Sequence, residues 1–449
     1  MNSTIDDLEI QQSAATQSAD VTEGATIAVV GLGYVGLPLA VAFDRAGHSV
    51  IGFDISEQKV ETLNGGTDTT GDLGDAAIAA SEVAFTTDPT AINEAEYVTI
   101  AVPTPIDDLK NPNLDFVESA ARTVGKHMST GTTVVLESTV YPGATRDVVI
   151  PALEDESGLR NGEDFFVGYS PERATPGDEE HGLAQVVKIV SGQNDAVCDD
   201  LADLYGTVVD AGIHKAPSIE TAEAAKAVEN VQRDINIALV NELAMIFDKI
   251  GIDTHAVLEA AGTKWNFHDY RPGLVGGHCI PVDPFFLAYR AEQEGVSPDL
   301  TLTGREVNER MPAHVANQTI KALNESGKVL KDSRILILGL SYKPDVADIR
   351  TSKVTEIIGA LDEYQIDIVG FDPHADSAAM RDAFGIDIQD ELDFTDIDGV
   401  LLTTGHTAFK DIDLGDMVGQ MTGTPVVVDV DNFFDPADAA DKEFTFRRV

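Results

Sequence analysis

Apolar and polar positions fall into well-separated blocks along this chain. The first clear block is Thr26-Ile-Ala-Val-Val30, an apolar run of strand length. It leads into Gly31-Leu-Gly-Tyr-Val-Gly36 and then an Ala/Leu-rich stretch of helical period ending at Gly47. A second apolar run, Ser49 to Phe53, stops at Asp54. This order predicts strand, glycine turn, helix, strand, a βαβ unit. Further apolar runs at 97–102, 133–136 and 165–168 are separated by helical patterns. Alternation of that kind predicts a parallel sheet covered on both faces.

The period changes from Thr221 to about Lys249. Ala225, Val228, Ile235, Leu239, Leu243 and Ile246 recur at helical spacing with no Gly or Pro between them. A helix of about 43 Å is expected, long enough to be a spine between two domains and to join two subunits through its exposed apolar side. More helical sequence runs from Pro284 to Gly295 and from Leu300 to Glu325. The opening pattern then returns. Arg334-Ile-Leu-Ile-Leu338 before Gly339-Leu-Ser-Tyr342 echoes the first strand and turn, Val369-Gly-Phe-Asp372 echoes Ile51-Gly-Phe-Asp54, and 399–404 echoes 97–104. The expected fold is α/β: two Rossmann-like, doubly wound parallel-sheet domains joined by a long central helix and a helical middle domain. The expected boundaries are a disordered extension at 1–24, a dinucleotide-binding domain at 25–215, a helical domain at 216–325 and a second nucleotide-type domain at 326–449. This second copy lacks the three-glycine pattern and is not expected to grip a pyrophosphate in the same way.

Composition narrows the setting. No apolar run approaches the roughly 18–20 residues of a membrane span, and the first residues are acidic where a secretory leader would be basic; a cytoplasmic protein is expected. Seventy-seven acidic residues face 30 Lys and Arg, a formal net charge of −47. Such a field repels nucleic acid and anionic membranes. The acids are dispersed, as at Glu154-Asp155-Glu156 and Asp178-Glu179-Glu180, which predicts adaptation to high salt more than one acidic docking surface. Two cysteines, Cys198 and Cys279, do not make a disulfide framework.

Gly31-x-Gly33-x-x-Gly36 stands between strand and helix, where glycines allow a tight turn, close backbone approach to a pyrophosphate and helix–strand packing. Tyr34 and Val35 complete the turn at the helix N-terminus. Asp54, 23 residues after Gly31, suits the ribose hydroxyls and repels a 2′-phosphate, so NAD is the expected cofactor. Lys59, one turn into the next helix, is either an adenosine-ribose contact or a solvated lysine. Pro103, Thr104 and Ser138 follow strands, at the edge where such sheets hold ligands.

The segment Gly273-Leu-Val-Gly-Gly-His-Cys279-Ile-Pro-Val-Asp283-Pro284 is the most informative. Gly276 and Gly277 clear space around Cys279. Asp283 and Pro284 read as N-cap and first residue of a helix, whose positive end would favour a thiolate. Cys198 reads as a structural thiol. On the long helix Lys226, Glu229, Asn230 and Arg233 share one face, and Lys226 and Asn230 can reach one reacting atom.

These motifs, with Glu137-Ser-Thr139-Val-Tyr-Pro-Gly143, Ser170-Pro-Glu172-Arg173, Glu223-Ala-Ala-Lys226-x-x-x-Asn230 and Tyr342-Lys343-Pro-Asp345-x-x-Asp348-x-Arg350, make the chain resemble the UDP-glucose/GDP-mannose dehydrogenase family over nearly everything after residue 24. The resemblance implies a four-electron oxidation with two NAD molecules in succession, through a thiohemiacetal and then a thioester on Cys279. It implies Lys226 and Asn230 as oxyanion donors, Asp283 with Glu172 as the base acting on water, and Thr139 holding that water. It also implies Arg350 near the cofactor and a UDP-sugar touched by Arg173, Lys226, Asn230, Trp265, Phe267, Arg271, Gly273, Gly276 and Lys343, with no metal. Many UDP-glucose enzymes carry lysine where this chain has Val282. Together with Gly262-Thr-Lys-Trp-Asn-Phe267 and the Arg271–Cys279 stretch, that looks like the branch acting on UDP-N-acetylhexosamines (GalNAc, GlcNAc or ManNAc), with UDP-glucose as the alternative. A homodimer through the long helix is expected by the same resemblance. A two-electron hydroxyacid-type dehydrogenase, in which Cys279 is incidental, and a non-catalytic nucleotide-sugar sensor are the competing readings.

Overall fold

A computed structural model describes residues 24–174 and 179–449; the extension expected at 1–24 lies almost wholly outside them. The chain divides into two compact units. The first holds the residues up to Thr104, Leu114–Ser138 and Gly143–Ala222, and the second holds Pro105–Asn113, Thr139–Pro142 and Glu223–Val449.

The first unit is built on an eight-stranded sheet: β1 (Thr26–Val30), β2 (Ser49–Phe53), β3 (Ala84–Thr86), β4 (Tyr97–Ile100), β5 (Thr133–Leu136), β6 (Phe166–Tyr169), β7 (Lys188–Gly192) and β8 (Ile213–Lys215). Their order is β3-β2-β1-β4-β5-β6-β7-β8. All neighbours are parallel except β6 and β7, which are antiparallel. The short run Val186-Val-Lys-Ile-Val190 was not foreseen as a strand, because a lysine at its centre breaks the apolar pattern. β1 is buried at every position after Thr26, as a central strand covered on two faces must be. Ile27 and Val29 pack with Leu37, Ala40, Val41 and Phe43 of the helix Gly36–Arg45 and with Leu201 and Tyr205 of the helix Asp195–Gly206.

The second unit carries a six-stranded parallel sheet of β9 (Arg334–Leu338), β10 (Asp367–Phe371), β11 (Asp387–Ile388), β12 (Gly399–Leu402), β13 (Val426–Asp429) and β14 (Thr445–Arg448). Its order, β11-β10-β9-β12-β13-β14, repeats that of the first six strands. Alternate residues of β9 feed opposite cores: Ile335 and Ile337 pack with Met311, Val315, Ile357 and Leu361, whereas Leu336 and Leu338 pack with Phe394, Phe409 and Met417. Two Rossmann-like sheets are therefore present, as the sequence echo predicts.

The long helix runs Ile219–Ile250. The helical stretch expected from Leu300 to Glu325 is broken into Asp299–Glu309 and Met311–Glu325. Pro312 sits in the first turn of the second piece, where its missing N–H is harmless; inside one continuous helix it would have no place. Among the described residues no helix is long and apolar enough to cross a membrane.

The turn after β1 shows which glycines the fold itself requires. A Cβ on Gly36 would lie 1.9 Å from the Gly31 carbonyl oxygen, whereas one on Gly33 would meet nothing within 4 Å. Gly36→Ala should lower the unfolding midpoint by about 5 °C or more, since rigid backbone is the obstacle. Gly33→Ala should unfold with wild type by thermal scanning, and equal midpoints for the two variants would contradict this assignment.

Candidate active site

Asp54 closes the glycine turn. Its Oδ2 accepts from the Leu32 N–H at 2.9 Å and from Lys59 Nζ at 2.7 Å, and its Oδ1 accepts from the Ser56 N–H at 3.0 Å. Burial works to raise the acid's pKa, but Lys59 and the two N–H groups outweigh it and hold the carboxyl below its usual range. A carboxylate offers about four acceptor positions; the three contacts leave one on Oδ1 for a ribose hydroxyl. Gly31 takes φ +94°, and a Cβ there would press the Ala101 carbonyl oxygen at 2.6 Å. The crest at Gly33 is open, so the turn fits a dinucleotide pyrophosphate. Ser138 both accepts from the Val102 N–H and donates to the Val102 carbonyl, which ties the ends of β4 and β5 together.

The corresponding turn in the second unit is saturated. Asp372 accepts from the N–H groups of Leu340, Ser341, His374 and Ala375 and from His406 Nε2. These contacts overcome burial and hold its carboxyl far below the usual range. No acceptor position is left for a ribose, which agrees with the expectation that the second copy does not repeat the first.

Cys279 lies in the second unit, at a turn leading into the helix Asp283–Gln293. Its carbonyl accepts the N–H of Val282 at 3.1 Å and of Asp283 at 2.8 Å. Asp283 is thus the first helical residue and not the N-cap expected from sequence; Val282 occupies the cap in αR conformation with no side-chain bond. Because the Cys279 carbonyl serves the free N–H groups, the Asp283 side chain is released to turn inward, where its Oδ2 accepts Asn230 Nδ2 at 2.5 Å. Burial raises Asp283 to about 6, against the pull of Lys226 and the Asn230 bond.

The thiol of Cys279 is also pushed up, first by burial, then by the Asp283 carboxylate, with Lys226 opposing. Burial and the neighbouring carboxylate thus act against the thiolate that the helix end was expected to favour. The residue keeps solvent access even so. Cys198 is buried, with Sγ 3.8 Å from the Val190 carbonyl oxygen, and burial raises its thiol. Lys226 thus acts on both Cys279 and Asp283, and Asn230, one turn further along Ile219–Ile250, bonds Asp283.

The loop before Cys279 is anchored by a residue that periodicity did not single out. Asn241 brackets Gly273, donating to its carbonyl at 3.1 Å and accepting its N–H at 2.8 Å. Asn241 also donates to Asn308 at 2.8 Å, and Asn308 and Arg305 both bond Asp234. Polar residues at i and i+7 on an otherwise apolar helix face, Asp234 and Asn241, were the available signal. Past the loop, Gly277 takes φ +88°, and a Cβ there would meet the Tyr342 ring at 2.9 Å. Arg350 makes a two-pronged ion pair with Asp348, and His278 lies 3.3 Å from the same carboxylate. Trp265 is 88 % exposed, and Arg271 pairs with Asp269.

Glu172 belongs to the first unit. One oxygen accepts the N–H groups of Arg173 and Ala174, at 2.7 and 2.5 Å, and the other accepts Lys188 Nζ at 3.2 Å. Lys188 also donates to Glu137 at 2.7 Å, and the Tyr205 hydroxyl donates to Glu137. Arg173 reaches the Val187 carbonyl.

Comparison with known proteins places these features in one group. The UDP-glucose/GDP-mannose dehydrogenase family matches in three consecutive parts: its NAD binding domain over residues 25–209, its central domain over 220–310 and its UDP binding domain over 336–436. Protein CapL of Staphylococcus aureus is 46% identical over 385 residues, covering 86% of this chain and 91% of that protein. The UDP-N-acetyl-D-glucosamine 6-dehydrogenase of Pseudomonas aeruginosa is 45% identical over 387 residues, covering 86% and 92%. The solved structure of a UDP-D-ManNAc dehydrogenase from Pyrococcus horikoshii superposes with a TM-score of 0.85 at 29% identity, over 94% of this chain and 99% of that one. By sequence and by fold, the chain belongs to the UDP-glucose/GDP-mannose dehydrogenase family.

Proposed function

We propose that this protein oxidises the C6 alcohol of a UDP-N-acetylhexosamine to the uronate through covalent attachment to Cys279, supplying a precursor for a surface polysaccharide or glycan. The observation that carries the reading is the grouping of a solvent-accessible thiol with Asp283, Asn230 and Lys226 in one unit. The acetamido sugar is favoured by Val282 in place of a pocket lysine and by the Pseudomonas and Pyrococcus relatives named for such sugars. The Gly31–Gly36 turn and Asp54 would hold NAD, which would supply the hydride acceptor for the two oxidations.

The chain's own residues account for the rest. The Cys279 sulfur adds to the C6 aldehyde carbon, and its proton is taken up by a base. The oxygen that becomes anionic faces the Lys226 ammonium and the second N–H of Asn230, donors of a kind typically worth a few kcal/mol. Loss of a second hydride leaves a thioester. Water then adds to the thioester carbon, giving its proton to a carboxylate, and the C–S bond breaks to release uronate and free thiol. Asp283 suits this role because it is ionised above about pH 6. Glu172 is the second carboxylate we assign to that water. Counting NADH against uronate should give two to one, and Cys279→Ser should make no acid. One NADH per product, or acid formation by that variant, would favour the hydroxyacid-type reading.

Asp283 makes the pH behaviour specific. A carboxyl raised to about 6 when folded binds its proton more tightly in the native state. Its stabilising contribution is full below its unfolded pKa and is lost as pH rises through 6. Asp283→Asn should therefore be more stable than wild type at pH 8, by on the order of 2 kcal/mol, while losing uronate formation. Equal or lower stability at pH 8 would show that the carboxylate is not held at a cost.

We further propose a cytoplasmic, salt-adapted homodimer formed through the long helix. Val228, Leu239, Ile246 and Ile250 lie on one face of it and are about half exposed. In molar salt, Leu239→Asp with Ile246→Asp should halve the mass measured by light scattering; an unchanged mass would place the interface elsewhere.

A further inference from the structure

Lys188 is a charged residue at the start of a buried strand, and its side chain is only 2 % exposed. It stands between two carboxylates, 2.7 Å from Glu137 and 3.2 Å from Glu172, and the Tyr205 ring centroid lies 5.3 Å from its Nζ. Glu137 follows β5, Glu172 follows β6, Lys188 opens β7 and Tyr205 comes from the helix Asp195–Gly206. Four elements thus converge on one cluster whose inner members are sealed and whose outer member, Glu172, keeps 17 % side-chain exposure.

A sealed ion pair is a poor stabilising device, because well-packed apolar side chains do as well without the desolvation cost. What this cluster does that apolar packing cannot is orient a carboxylate. Three of the roughly four acceptor positions of Glu172 are filled, two by the N–H groups of Arg173 and Ala174 and one by Lys188. Among the described residues the fourth, on the oxygen that Lys188 holds, has no partner and is left for a water.

We propose that Lys188 is a positioning residue for Glu172, seated by Glu137 and Tyr205, and that it fixes the single acceptor direction through which Glu172 meets the hydrolytic water. The inference rests on the assignment of Glu172 to that water. The charges agree with it. Burial pushes Glu137 up, whereas Lys188 and the two N–H groups keep Glu172 low despite its burial. The two carboxylates are thereby pushed apart, and the outer one, Glu172, stays available as a base.

The test uses the full chain. Lys188→Met combined with Glu137→Gln removes the inner charges together, so no new unpaired inner charge is left, and burial then acts on Glu172 with only the Arg173 and Ala174 N–H groups opposing it. Turnover to uronate should fall about tenfold or more with KM for sugar and NAD unchanged. The acid limb of kcat should rise by about one pH unit or more, and a thioester adduct should accumulate in intact-protein mass spectra. Lys188→Arg should restore most of the turnover. Tyr205→Phe, which removes only the hydroxyl on Glu137, should move the acid limb the same way by less, and it decides the matter if the double variant does not fold. A wild-type kcat and acid limb in these variants, with Glu172→Gln slow, would overturn the role of Lys188 and leave that of Glu172 intact. Glu172→Gln turning over as fast as wild type would remove the assignment on which both rest.

Discussion

A backbone N–H at the crest of a tight turn must find an acceptor, and the way this chain finds one organises both of its sheets. Each first strand ends in a left-handed glycine, Gly31 or Gly339, and the next N–H bonds an aspartate at the end of the neighbouring strand, Asp54 or Asp372. The bond fixes the turn to the sheet edge and thereby fixes what the edge can hold. In the first unit Asp54 keeps an acceptor free and Gly33 leaves the crest bare. In the second, His406 and four N–H groups consume Asp372 entirely. One ancestral-looking motif thus survives twice as architecture and once as a binding edge.

The same economy of acceptors governs the cysteine turn. Because the Cys279 carbonyl takes the free N–H groups at the start of its helix, Asp283 is not consumed as a cap and can stand as a buried carboxylate beside the thiol. Burial and Asp283 raise the thiol, while the Lys226 ammonium favours its anion, and Asp283 itself is raised to about 6. The electrostatics are therefore balanced around the sulfur, with one neighbour raising its pKa and another lowering it.

Much of this was written openly in the chain. Strands of continuous Val, Ile and Leu announced themselves, as did the glycine spacing, the aspartate at the strand end and the internal echo, because each depends on local periodicity. What periodicity could not show were residues whose meaning is set by distant partners. Lys188 looks like a defect in a strand until Glu137 and Glu172 arrive from neighbouring strands. Asn241 looks like one more polar residue on a helix until Gly273 folds against it. Asp283 was read one position out of register, because a Val282 in helical conformation carries no sequence signature of a cap. The break at Arg310 was missed although Pro312 was in view, since apolar spacing continues smoothly across it.

The chain has a single tryptophan, and that residue, Trp265, stands on the loop between the helix Thr254–Gly262 and the cysteine turn, almost fully in solvent. Its indole emission is therefore a built-in optical reporter for that one loop, undiluted by signal from either sheet. Covering the loop would move the emission maximum to shorter wavelength and shield it from dissolved quenchers, so loop burial can be timed without attaching a dye.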